Sequence, residues 1–142
     1  MTARTIQLSL VLLLSFSVHI FAEGPEIEYG QKSELRGVTR VFIDAGLELS
    51  FRENAVALLK QELPKLEVTE HASEAEVLLT VSLEGTDRGH GSATVIVSRA
   101  GSKPNTVRVL AKYTDSKSSI WTKKLSSVLI GRFIRDYREA NR

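Results

Sequence analysis

His90 lies three residues after Asp87 in the glycine-rich stretch Glu84–Ser92 (EGTDRGHGS). An imidazole beside a carboxylate can ligate a metal, or act as a base held by its orienting partner. Two donors do not make a metal site, and no third ligand stands at a fixed spacing. His71, the other histidine beyond the first 22 residues, sits in a separate loop beside Glu70. Asp87 and His90 are therefore metal candidates only in type, and a solvated hairpin tip explains them as well. Gly85, Gly89 and Gly91 crowd the same stretch, but they fall between two strand-like runs. A phosphate loop needs backbone N–H groups converging at a helix start, so no cofactor is expected here. No serine stands in a G-x-S-x-G elbow, no H-E-x-x-H occurs, and the chain has no cysteine. Thiol catalysis, thiolate zinc sites and disulfides are excluded with it.

A second pattern joins Arg108, Lys112, Lys123 and Lys124 with Trp121, with Tyr113 close by. A basic surface interleaved with aromatics binds sugars or single-stranded nucleic acid in some folds. The competing explanation puts Trp121 in a sheet–helix core or over a strand edge, with the lysines guarding that edge against aggregation. These five residues are the ligand-binding candidates; no catalytic residue is expected.

The first 22 residues bear on which partners are available. Arg4 precedes an apolar run from Ile6 to Phe21, and Ala22 offers a small residue for cleavage. This is the pattern of a signal peptide cut after Ala22. A retained N-terminal anchor is the alternative, although Ser9, Ser15, Ser17 and His19 interrupt the run. Export points to a periplasmic or secreted protein, soluble after cleavage, that meets no nucleic acid. Export without disulfides favours a bacterial envelope.

Cleavage would leave 120 residues, Glu23 to Arg142, enough for one domain with an ordinary core. Charge divides along it. Residues 23–102 hold 8 basic and 14 acidic groups, and residues 103–142 hold 10 basic and 3 acidic. The basic third suits an anionic lipid or a cell-wall polymer; interleaving of the two parts in one sheet would neutralise it.

The elements that must position these groups follow from periodicity. Glu23–Gly37 is polar and punctuated by glycine and proline, and reads as an extended, lightly attached segment outside a domain spanning residues 38–142. Thr39–Asp44 reads as a strand. Ser50 and Glu53 form a capping box for a helix that Pro64 ends near Leu63, with Phe51, Ala55, Leu58 and Leu59 on its apolar side. Short strands follow at Leu66–Thr69, Val77–Leu83, Ala93–Ser98 and Thr106–Tyr113. Leu78 suggests that its strand is buried on both faces. In Thr106–Tyr113, the residues Val107, Val109, Ala111 and Tyr113 share one face, against Arg108 and Lys112 on the other. Thr114–Ser118 reads as a tight turn, and Ser119–Leu125 as a last strand carrying Trp121. Ser126 or Ser127 caps a closing helix whose stripe runs through Leu129 or Ile130, Phe133, Ile134, Tyr137 and Ala140. The order β-α-β-β-β-β-β-α predicts an α+β two-layer sandwich, a mixed and mostly antiparallel sheet of five or six strands with both helices on one face. Arg108, Lys112 and Lys123 are then candidates for the open face.

The stretches Tyr29–Asp44, Glu74–Val81, Thr114–Trp121 and Phe133–Asn141 resemble a group of exported bacterial proteins of about this length and uncharacterised function. The order of elements is more distantly similar to small α/β domains of envelope lipoproteins that assist lipopolysaccharide or secretion machinery, though a lipidation cysteine is missing. The resemblance implies a fold and an envelope address, and brings no catalytic residues. The expected function is a non-enzymatic envelope domain that binds a protein partner through its open sheet face, a sheet edge or its basic third. The alternatives are a module for anionic lipid, polysaccharide or a small ligand, and a hydrolase using His90 and Asp87.

Overall fold

The computed structural model describes residues 24–85, 91–117 and 122–142. Asp87, His90, Trp121, the leader and its cleavage point after Ala22 lie outside the described residues, as do the side chains of Lys123 and Lys124.

The chain runs β1 (Glu26–Tyr29), a 3-10 turn (Lys32–Leu35), β2 (Arg40–Asp44), α1 (Leu49–Glu62), β3 (Glu67–Val68), a second 3-10 turn (Ala72–Glu74), β4 (Val77–Gly85), β5 (Gly91–Ala100), β6 (Thr106–Lys117) and α2 (Thr122–Ala140). Six strands form one sheet in the order β1-β6-β5-β4-β2-β3. The long ladders β4–β5 and β5–β6 are antiparallel, and the short pairings β1–β6, β2–β4 and β2–β3 are parallel. Parallel neighbours need a crossover, and α1 supplies the one between β2 and the strands beyond it. This is the expected α+β sandwich.

One face of the sheet meets both helices. Val41, Ile43, Val77, Leu79, Val95 and Val97 from the strands pack with Phe51 and Leu59 of α1 and Leu125, Leu129, Ile130 and Phe133 of α2, all essentially inaccessible. Burial of each such side chain is worth about 1.5–3 kcal/mol over exposure. With no cross-link available, this packing carries the fold.

Several local readings change. Residues 26–35 are not a loose leader: β1 pairs with β6, and Leu35 is fully buried in the core. Helix α1 begins at Leu49 with Glu48 as its cap residue and no side-chain cap bond, so Ser50 lies inside the first turn. The bend through Gly46 (φ 55°) and the bond from Glu48 N to Ala45 O start the helix earlier than the capping box suggests. Its end is as expected: Leu63 leaves helical geometry ahead of Pro64. Thr114–Lys117 continue β6 instead of turning, because β5 extends to Gly91 and pairs with them down to Gly91–Lys117. The helix then starts at Thr122, so Thr122–Leu125 are helical and Ser126 and Ser127 lie past the cap position.

The most consequential change is a β-bulge. Val97 pairs with Ala111, but Ser98 pairs with Val109, which leaves Leu110 as an extra residue in β6. Side chains alternate faces, so one extra residue reverses the assignment on its far side. Ala111 and Tyr113 face the helices while Val107 and Val109 face away. Arg108 lies on the helix side and Lys112 on the open face, so the expected common face for Arg108 and Lys112 does not exist.

Candidate binding site at the sheet edge

Glu26–Tyr29 has the sequence EIEY, bounded by Pro25 and Gly30. Strict alternation makes it a two-faced strand. Glu26 N donates to Asn105 O at 3.1 Å, and Gly30 N to Val109 O at 2.8 Å. Alternate residues of a parallel strand bond to a given neighbour. The N–H and C=O groups of Ile27 and Tyr29 therefore point away from β6, and among the described residues β1 is the last strand on that side of the sheet. The opposite margin, β3, is only two residues long.

The side chains of Ile27 and Tyr29 lie on the open face, 56% and 80% exposed. Register extends them into two apolar rows. Ile27, Val107 and Ala100 align across three strands, and Tyr29, Val109, Ser98, Leu78 and Phe42 across five. Leu78, Phe42, Val107 and Val109 are only half-buried. A concavity of about 450 Å³ opens beside them, where Ala72 and Ala75 flank Leu78, Ala100 and Val107. The next row, Lys112, Ile96, Thr80 and Asp44, is more polar.

Beneath β1 the charges are paired. Arg108 grips Glu34 with two hydrogen bonds, Nε to Oε1 at 2.8 Å and Nη2 to Oε2 at 3.0 Å, and reaches Glu28 Oε2 at 3.4 Å. A planar guanidinium suits this bidentate geometry. Glu28 also accepts from Ser102 N at 3.2 Å and Ser102 Oγ at 2.5 Å. These Ser102 bonds, followed by Arg108, hold its carboxyl below the ordinary range. Glu34 is lowered too, chiefly by the Arg108 hydrogen bonds and then by the Gln31 backbone N–H. Glu26 is exposed, and no described residue makes an ion pair with it.

A second cluster anchors the first 3-10 turn. Asp136 is 4% exposed and accepts from Tyr113 Oη at 2.5 Å, Lys32 Nζ at 2.8 Å and Arg135 Nε at 3.3 Å. Burial pushes its carboxyl up, but the bonds from Lys32, Tyr113 and Arg135 outweigh burial and hold it below the ordinary value. Burial, followed by the bond to Asp136, pushes the Tyr113 hydroxyl well above its ordinary value. A phenol so disposed is no base or nucleophile near neutrality. In the adjoining cleft, about 220 Å³ between Lys32, Ser33, Asp136 and Glu139, the Lys32 and Asp136 groups are already occupied in this tie. Asn141 and Tyr137 complete the anchorage, accepting from Gly37 N at 2.9 Å and donating to Val38 O at 2.6 Å.

Among the candidates named from sequence, Arg108 is enclosed by Glu28 and Glu34, and Lys112 stands exposed on the other face. Lys123 and Lys124 fall in the first turn of α2, distant in the chain order from the β1 edge. Sequence reasoning missed the β1 edge and the Lys32–Asp136–Tyr113 cluster. The EIEY alternation was the available signal for the first; the second joins residues 104 positions apart and had none. No family model matches this chain, and no curated protein matches it.

Proposed function

We propose that the protein is an exported, non-enzymatic binding domain that takes an extended polypeptide segment onto the outer edge of β1. The observation that carries this reading is the outward-facing backbone of Ile27 and Tyr29, continuous with the half-exposed apolar rows of the open face. Strand addition uses those two features together: main-chain bonds give affinity, and alternate side chains give selectivity. The apolar leader Ile6–Phe21, with Arg4 before it and Ala22 after it, supports a route out of the cytosol. Among the described residues, no helix is long and apolar enough to cross a membrane. A module for anionic ligands finds less support, since Arg108 is engaged with two carboxylates.

A photo-crosslinking side chain at position 27, compared with one at exposed Lys65 on the far margin, tests the site in cells. Adducts with one envelope protein from position 27 and none from position 65 are expected. Equal yields from both positions, or none from either, would reject the edge. The intact mass of the mature protein tests export, and a chain beginning at Glu23 is expected.

A further inference from the structure

The two faces of β1 differ, and this specifies the chemistry of the strand it would accept. Ile27 and Tyr29 stand on the open face, and Glu26 and Glu28 on the helix side. Any strand laid along the outer edge places alternate residues beside Ile27 and Tyr29, and the intervening ones beside Glu26 and Glu28. We infer that the partner segment alternates apolar and basic residues, an inference that rests on the strand-addition reading above.

The fold already contains one instance of this pairing. The inner neighbour of β1 is Val107–Arg108–Val109, which lies in register with Ile27–Glu28–Tyr29. Its valines face Ile27 and Tyr29, and its arginine meets Glu28 at 3.4 Å. An outer partner would repeat the arrangement on the side that is open. Local charge favours it. Glu28 and Glu34 share the Arg108 guanidinium, with Arg99 acting on Glu34 as well, and Glu26 has no cationic partner among the described residues. Lys32, the nearest cation on the adjoining turn, is held by Asp136. A second copy of the chain is the wrong occupant. Its β1 would set glutamate against glutamate, and like charges directly opposed are destabilising. Neutral or acidic strands meet the same carboxylates, so the glutamates that guard this edge also select what crosses it. The whole chain carries a formal charge of +2, so bulk attraction does not account for a preference for basic peptides.

The test uses the mature protein and three fluorescent seven-residue peptides, alternating Val–Lys, Val–Thr and Val–Glu, titrated by anisotropy at low and high salt. Val–Lys should bind at least about threefold more tightly than Val–Thr, and Val–Glu most weakly, with the spread narrowing as salt screens the charges. Glu26→Lys should compress or invert the order. Ile27→Pro removes an outward N–H without touching a bond to β6, and should abolish binding of all three with the circular dichroism spectrum unchanged. Equal binding of the three peptides to the wild type would overturn the charge preference and leave strand addition standing. No binding by any of them would overturn strand addition itself. Val–Lys binding that survives Ile27→Pro would be diffuse surface attraction, and would overturn both.

Discussion

Replacing Asp136 by alanine strips the common acceptor from Tyr113, Lys32 and Arg135. The three contacts are not equal. Tyr113 is 4% exposed, so its hydroxyl cannot turn to water and is left unsatisfied. An orphaned buried donor costs about 1–3 kcal/mol. Lys32 is 53% exposed and Arg135 67% exposed, so each regains hydration and each pair is worth about 0–1 kcal/mol. Asp136→Ala should therefore destabilise the domain by about 1–5 kcal/mol, most of it from the stranded Tyr113 hydroxyl. Tyr113→Phe should cost about 1–2 kcal/mol and Lys32→Ala no more than about 1 kcal/mol. Against a typical stability of about 5–15 kcal/mol, the first is a large loss. Urea unfolding of the three single variants and of the Asp136→Ala/Tyr113→Phe pair measures the terms. The double variant should cost less than the sum of its singles by about 1 kcal/mol, since the shared bond is lost only once. Asp136→Ala within 0.5 kcal/mol of wild type, taking the usual spread for a neutral surface change, would refute the reasoning. Lys32→Ala as costly as Tyr113→Phe would refute the ranking by exposure.

Leu35→Ala should cost about 2–5 kcal/mol by thermal or urea unfolding, as for a core leucine, because Leu35 is fully buried. A cost below about 1 kcal/mol would show the N-terminal segment to be peripheral after all. Gly101→Ala should cost about 1–3 kcal/mol, since a Cβ there would lie 2.6 Å from Thr106 Cβ and 2.9 Å from the Thr106 backbone carbon, neither of which can swing aside. Acid should unfold the domain cooperatively. Glu28, Glu34, Glu76 and Asp136 all have lowered carboxyl values, so the folded chain binds fewer protons than the unfolded one. Their stabilisation is fully present above the unfolded carboxylate range, about pH 4–4.5, and is lost as pH falls through the lower folded values. A pH series of unfolding midpoints should show this decline, and Asp136→Ala should flatten it.

The amphipathic elements were legible in sequence because their signals are local. Phe51, Ala55 and Leu59 repeat at helical spacing and are buried, as are Leu129, Ile130, Phe133 and Ile134. Val77 and Leu79 alternate, and their strand is central in the sheet. What sequence concealed was set by distant neighbours. Thr114–Lys117 has the composition of a turn, yet the matching length of β5 keeps it in the ladder. Polar Glu23–Gly37 hides a single core residue, Leu35, whose burial depends on contacts with α2 across the whole chain. The bulge left a trace: Val109, Leu110 and Ala111 are three successive apolar residues where alternation allows one. Reading through that interruption reversed the faces of Arg108 and Val107.

The bulge and the open edge are physically connected. Leu110 and Ala111 are both buried, and satisfying both requires the strand to spend one residue out of register. That extra residue turns Arg108 beneath the sheet, where it ties Glu28 of β1 to Glu34 of the following turn. Lys32, two residues before Glu34, is tied in turn to Asp136 on α2. β1 is only four residues long, and an isolated edge strand of that length would fray. Here it is held from the inside, by backbone bonds to β6 and by these charge pairs below, while among the described residues no strand lies beside its outer backbone. An edge ordered in advance charges an incoming strand only for the partner's own loss of freedom. Cutting the Arg108 tie should therefore weaken capture of a neutral strand, for which the Glu28 carboxylate it releases offers no new ion pair. Arg108→Gln, assayed by hydrogen exchange, should speed exchange at Glu28 and Gly30 and lower affinity for the Val–Thr peptide together. Faster exchange with unchanged affinity would separate the two, and would show that preorganisation of β1 is not what the binding uses.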